Sequence, residues 1–259
     1  MNRIFSCAIL CAMVFTACKK EAVKPADAII NKTRLAEATN SNTTITLWSD
    51  NAVLPAGYNK LYVSLKNNQG NEIKNTTVTY TSIMDMGSMK HSSPAEQPAY
   101  NNELKLYEGA IVFTMPTSET GTWQLNVTAN DATVSFPLTI STPPQKQSGT
   151  FVGTDENKYV LALVPPLKWQ VGLNDLDILI NRKASSMDFP ADDGFTIELI
   201  TEMPSMGHGS PNNSNPISAG SGHYKGKVNY TMTGDWRLHF KLKKNDMVIV
   251  EDAYVDILF

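Results

Sequence analysis

Thiols are almost missing from this sequence. Its three cysteines are Cys7, Cys11 and Cys18, and none follows. Beyond Cys18 the chain therefore has no disulfide, no thiolate nucleophile and no thiolate metal ligand. A basic excess is missing too. The 22 Lys and Arg face 25 Asp and Glu, for a formal charge of -3. A nucleic-acid partner is not expected, because a duplex binder needs a basic patch. No nucleophile elbow, phosphate-cradling glycine-rich loop or HExxH segment occurs, so no enzyme is expected. Carboxylates are scattered, and Asp192-Asp193-Gly194 reads as a turn before a strand. No apolar run is long enough to span a bilayer, which takes ~20 residues. What is present is a hydrophobic content of 42%, ordinary for a chain that buries real cores.

The N-terminus reads as an export signal. Arg3 supplies positive charge, residues 4–17 form a short apolar run, and the run ends at Ala17-Cys18. That ending resembles a lipoprotein signal, in which the cysteine is acylated and becomes the first mature residue. Two or more acyl chains on Cys18 would anchor the chain stably to a membrane. Lys19 and Lys20 follow, with no Asp after the cysteine, which by resemblance to other lipoproteins favours the outer membrane. The expected organisation is a signal peptide over 1–17 and a lipid-anchored tether over 18–42, with a short helix over 28–38.

The rest is a repeat with an offset of about 115 residues. Gly57-Tyr-Asn59-Lys-Leu61 matches Gly172-Leu-Asn174-Asp-Leu176. Met86-Gly-Ser-Met89-Lys-His91 matches Met203-Pro-Ser-Met206-Gly-His208. Tyr107-Glu-Gly109 matches Tyr224-Lys-Gly226, and Gly121-Thr-Trp123 matches Gly234-Asp-Trp236. Within each copy, apolar and polar residues alternate in short runs, as in Trp236, Leu238, Phe240 and Leu242. That is the period of a sheet with one buried face. The expected fold is all-β: two tandem immunoglobulin-like β-sandwich domains over 43–141 and 150–259, joined by a linker over 142–149. Strands are expected near 43–48, 60–66, 76–84, 107–114 and 133–140. In the second copy they are expected near 158–164, 174–181, 194–200, 223–231 and 247–257.

One repeated segment could carry chemistry. Met203, Met206 and His208 sit in a Pro- and Gly-containing loop, and Met86, Met89 and His91 repeat the spacing, with Met84 close by. Thioether and imidazole together favour Cu(I) over hard cations. His223 and Met232 are candidates for a further ligand, although Met232 and Met115 share the inward parity of their strands. The competing reading is that methionine, a flexible gap-filler, plugs the open end of a sandwich. Trp123 and Trp236 read as core anchors, and His239 as a solvated residue on a polar strand face.

The MPxMxH loop and the later YxGxVxFxMxGxW stretch resemble the YtkA-like domain, related to FixH-like proteins. The second copy carries it through Met203, Pro204, Met206, His208, Tyr224, Gly226, Met232, Gly234 and Trp236. The first departs at Asp85 and Gly87 and has a longer insert before Trp123. The resemblance implies a small secreted β-sandwich with a link to copper handling. Two functions follow as expectations. One is a non-enzymatic envelope lipoprotein that binds Cu(I) for buffering or for delivery to a copper-handling envelope protein. The alternative is a structural or adhesive lipoprotein whose loops contact another envelope protein.

Overall fold

The computed structural model describes residues 31–165 and 168–259. The signal peptide, the Cys18 anchor and most of the tether lie outside them. The first nine strands are β1 (Thr33–Asn40), β2 (Thr43–Ser49), β3 (Leu54–Pro55), β4 (Gly57–Asn67), β5 (Val78–Asp85), β6 (Lys90–His91), β7 (Ala95–Asn101), β8 (Leu106–Phe113) and β9 (Thr122–Ala129). Then come β10 (Ala132–Leu138), β11 (Ile140–Ser141), β12 (Ser148–Val152), β13 (Lys158–Leu163) and β14 (Gly172–Arg182). The last five are β15 (Thr196–Glu202), β16 (Ser214–Gly220), β17 (His223–Tyr230), β18 (Asp235–Lys244) and β19 (Met247–Leu258). No helix occurs among the described residues.

These strands make two immunoglobulin-like β-sandwiches. In the first, the sheet β1-β2-β4-β8-β7 faces β10-β9-β5-β6, with a short parallel pair β11-β3 at one side. In the second, β12-β13-β14-β17-β16 faces β15-β18-β19. The registers correspond as well. Gly57 pairs with Phe113 and Leu61 with Gly109, while Gly172 pairs with Tyr230 and Leu176 with Gly226.

Alternation builds both cores. The inward positions Trp123, Leu125 and Val127 of β9 are buried, as are Trp236, Leu238, Phe240 and Leu242 of β18. A repeated tyrosine ties each core to a loop. The Tyr107 hydroxyl accepts from the Thr76 N–H and donates to the Ile73 carbonyl. The Tyr224 hydroxyl accepts from the Phe195 N–H and donates to the Asp192 carbonyl. These bonds satisfy loop backbone groups that would otherwise be buried unpaired.

Two expected boundaries shift. Residues 33–40, expected in the tether, form β1 and pair with β2, because Leu35, Ala36 and Ala38 pack on the first core. Residues 33–38 of the expected helix are therefore strand. The expected linker is drawn into the second sandwich: Ser148 begins β12, the Gln147 carbonyl accepts from Leu163, and the Lys146 carbonyl accepts from Asp256 at 2.7 Å.

The sandwiches pack together. The outer faces of their five-stranded sheets share a buried cluster of Tyr58, Ala110, Val112, Val160, Ala162 and Leu179. The Ser92 N–H also donates to the Ser186 carbonyl at 2.8 Å.

Candidate functional site

In each sandwich one residue of the four-stranded or three-stranded sheet sits at the centre of a row. Strand β5 points Val78, Tyr80, Ser82 and Met84 inward. Met84 pairs with His91 on one side and with Trp123 on the other. Directly opposed residues on antiparallel strands share a face, with Cβ atoms ~5 Å apart. His91, Met84 and Trp123 therefore stand side by side. In the second sandwich Met203 pairs with His208 through an isolated bridge. The β15–β18 register, ending at Glu202 opposite Arg237, brings Met203 next to Trp236.

The two rows repeat contact by contact. Met84 is 1% exposed and Met203 4%. A Cβ at Gly121 would lie 2.6 Å from the Met84 methyl, and one at Gly234 would lie 2.3 Å from the Met203 methyl. Glycine stands before each tryptophan because the methionine end fills the space a side chain would need. The His91 and Trp123 rings meet edge to face at 5.7 Å, and those of His208 and Trp236 at 5.9 Å. The indole N–H of Trp123 donates to the Met115 carbonyl, and that of Trp236 to the Met232 carbonyl. Nδ1 of His91 lies 2.8 Å from the Ser92 carbonyl, and Nδ1 of His208 lies 3.0 Å from the Gly209 carbonyl. Each ring is thus pinned through Nδ1 to the next carbonyl.

This register corrects the expected pairing of the loops. Met84, not Met86, is the counterpart of Met203, because the first loop is two residues longer between methionine and histidine. Met86 is partly buried against the first core, and Met89 and Met206 are both more than half exposed. Lys90, beside the first row, is paired with Asp85 at 2.7 Å. Met232 does not point inward: β17 ends at Tyr230, and the Met232 side chain stands 38% exposed beyond it.

His223 is not brought to the loop. It opens β17, at the other end of that strand from Met232. Its Nδ1 contacts Asp177 at 2.9 Å, and its Nε2 contacts Glu96 of the first sandwich. Tyr58 donates to the other Glu96 oxygen at 2.6 Å. The bond to Asp177, then that to Glu96, pushes the His223 pKa up to about 9 against the opposing effect of burial. Burial pushes Glu96 up, but the bonds from His223 and Tyr58 outweigh it and hold the carboxyl below its usual range. Sequence reasoning missed this cluster, since its members are distant in the chain and belong to no motif. His239, on the polar face as expected, is flanked by Glu202 and Asp252.

Two surface cavities flank Tyr58. One of about 390 Å³ is lined by Lys60, Glu96, Tyr100 and Glu108 among others, and one of about 520 Å³ by Lys32, Asp50 and Tyr62. Their charges are already matched, Lys60 with Glu108 and Lys32 with Asp50. Among the described residues no group of three or more His, Cys, Asp and Glu side chains could hold a metal ion.

No family model matches the chain, and no curated protein matches its sequence. Solved structures give distant likenesses. The Escherichia coli adhesin FdeC is 11% identical with a TM-score of 0.26, over 88% of this chain and 82% of that one. Yersinia pseudotuberculosis InvD is 15% identical with a TM-score of 0.28, over 86% of this chain and 58% of that one. A conserved domain protein from Bacillus anthracis is 13% identical with a TM-score of 0.33, over 88% and 90%. Such scores transfer no function to this chain.

Proposed function

We propose that the chain is a non-catalytic structural or adhesive module of the cell envelope, held to the outer membrane through Cys18 and presenting its loops to another envelope protein. The observation that carries this reading is the joint between the sandwiches. An apolar cluster, a backbone hydrogen bond and the Tyr58–Glu96–His223–Asp177 cluster all cross it. Such a joint makes one stiff body out of two domains, which suits a spacer that holds loops at a fixed distance from a membrane. The larger groups of titratable side chains are engaged with one another, and the two cavities offer matched charges instead of a convergent acid, base and nucleophile. A test is site-specific photo-crosslinking in intact cells from positions 89 and 206, the exposed loop methionines. A discrete envelope protein trapped at either position supports the module. No adduct from either loop, or retention of the chain in the soluble fraction, overturns it.

A further inference from the structure

The two sandwiches use the same face of the repeat in opposite ways. Strand pairing identifies the equivalent positions. Ser64 of β4 and Leu179 of β14 each lie seven residues beyond the repeated glycine, Gly57 or Gly172. Their cross-strand neighbours, Thr46 and Ala162, are therefore equivalent, and so are Trp48 and Val164. In the second sandwich this patch is apolar. Ala162 and Leu179 are buried against the first sandwich, and Val164 packs beside them. In the first sandwich the same patch is Thr46, Ser64 and Trp48, and Trp48 belongs to neither core nor to the joint. A second joint would need the aliphatic groups that are missing here. We propose that this face of the first sandwich binds a neutral polysaccharide, with the Trp48 indole as the platform for one sugar ring. It is a different surface from the loops, and the inference does not rest on the structural reading.

The local geometry supports a platform. Trp48 stands between Arg34 of β1 and Tyr62 of β4 in one cross-strand row. Its indole N–H donates to the Ser64 hydroxyl at 3.0 Å. That bond draws the ring across the sheet, so that one face lies on the strands and the other is turned to solvent. The side chain is partly exposed. An aromatic face receives the C–H side of a sugar ring, and polar groups at its margin take the hydroxyls. Such groups surround Trp48. Arg34 pairs with Glu37 at 2.8 Å, the Thr46 hydroxyl donates to Glu37, and Lys60 pairs with Glu108 at 2.9 Å. Past Tyr62 the face runs into the cavity of about 520 Å³, lined by Lys32, Asp50 and Asn51 among others. An extended ligand thus meets an indole and, beside it, a recess.

Charge selects the ligand class. Lys32, Arg34 and Lys60 are each matched by a carboxylate, so no net field draws a polyanion to the face. The immediate neighbours of Trp48 are Arg34, Thr46, Tyr62 and Ser64, which leaves no aliphatic patch for a lipid or for the apolar core of a protein interface. An uncharged ligand rich in hydroxyls, each able to donate and accept, uses the groups that are present.

The test is affinity electrophoresis of the full chain through native gels holding dextran, mannan or xyloglucan, with alginate as the polyanion. At least one neutral polysaccharide should slow the chain, and alginate should not. Trp48→Ala should weaken the apparent affinity about tenfold, and Trp48→Phe, which keeps a flat ring, should restore most of it. Trp169→Ala, at a partly buried indole of the second sandwich, should leave binding intact. If Trp48→Ala fails to fold, oxidation of the parent with N-bromosuccinimide makes the same test, because bound polysaccharide should protect Trp48 in the peptide map. The proposal is overturned if none of the three neutral polysaccharides slows the parent, or if alginate slows it as strongly. It is equally overturned if Trp48→Ala binds like the parent, or if Trp48 is oxidised alike with and without polysaccharide. A protein crosslinked from position 48, with no polysaccharide bound, would make the face a protein interface instead.

Discussion

The two sandwiches share a set of contacts more closely than they share a sequence. Each has a methionine over a glycine, a tryptophan across the strand and a histidine edge-on to the indole. Around that unit they diverge. The first extends the row with strand β6, while the second has only the Met203–His208 bridge. The first adds the parallel pair β11-β3. At equivalent positions opposite Gly57 and Gly172, the first has Phe113 and the second Tyr230. The lesson is that a sheet conserves pairing, so the residue to compare is the one with the same cross-strand partner. Counting from the histidine by sequence selects Met86, whereas counting by pairing selects Met84.

The largest effect should come from removing the indole. Trp123→Ala and Trp236→Ala each delete one of the largest fully buried side chains, and each should cost about 3–5 kcal/mol in chemical denaturation. If the units are equivalent the two losses will be similar. A loss in one sandwich several times that in the other would show that the row supports only one of them.

The inner strands and these anchors were legible beforehand because their alternation is strict. Edge strands were not. In β7, Ala95–Asn101, and β16, Ser214–Gly220, a bulge falls beside Pro98 and Pro216 and interrupts the period. β12 offers only Phe151 as a large partly buried residue. Of the candidate site, the histidines and Met203 could be read from the loop motif. Met84 could not be given its role, because Met84 and Met86 have the same parity and only the end of β5 at Asp85 separates them.

Next comes the joint that binds the sandwiches to each other. The pKa of His223 is raised from 6.5 to about 9 in the folded chain. A raised pKa means that the folded state binds the proton more tightly, so this stabilisation is complete below about pH 6.5 and is lost as pH rises through about 9. Its size is on the order of 3 kcal/mol, and it belongs jointly to the histidine and its two carboxylates. Glu96 has the opposite sense: its depressed pKa gives stability that is lost as pH falls below the usual carboxylate range. The parent chain should lose stability between pH 6.5 and 9, and His223→Gln should flatten that part of the profile. An unchanged slope in the variant would remove His223 from the joint.

A smaller contrast separates the two glycines. Gly121→Ala presses a methyl against the far end of Met84, a flexible side chain that can move, so a cost of about 1 kcal/mol or less is expected. Gly234 has φ +141 as well as a tighter approach to Met203. Gly234→Ala therefore adds backbone strain of about 1–3 kcal/mol to the same crowding. Thermal unfolding of the two variants should rank Gly234→Ala as the more damaging. Equal losses would mean that crowding of the methionine decides both.

The only stabilising change is expected at the position where one copy has Phe and the other Tyr. Phe113 packs edge to face on Trp123 at 5.1 Å. Tyr230 packs on Trp236 at 5.3 Å, with Trp169 and Phe259 also against its ring. Its hydroxyl is buried without a partner among the described residues, and burial drives its pKa far up. A buried donor left unpaired costs about 1–3 kcal/mol, less whatever the surroundings recover by relaxing. Tyr230→Phe keeps the ring and its aromatic contacts and removes only that liability. It should raise the unfolding free energy by about 1 kcal/mol. Phe113→Tyr places the same hydroxyl in the first core and should lower it by about 1–2 kcal/mol. Measured together, the two exchanges show whether the second sandwich tolerates a hydroxyl that the first does not. A loss of stability in Tyr230→Phe would mean that the hydroxyl has a favourable partner after all, and the two cores would then differ in polarity by design of their pairing and not by tolerance.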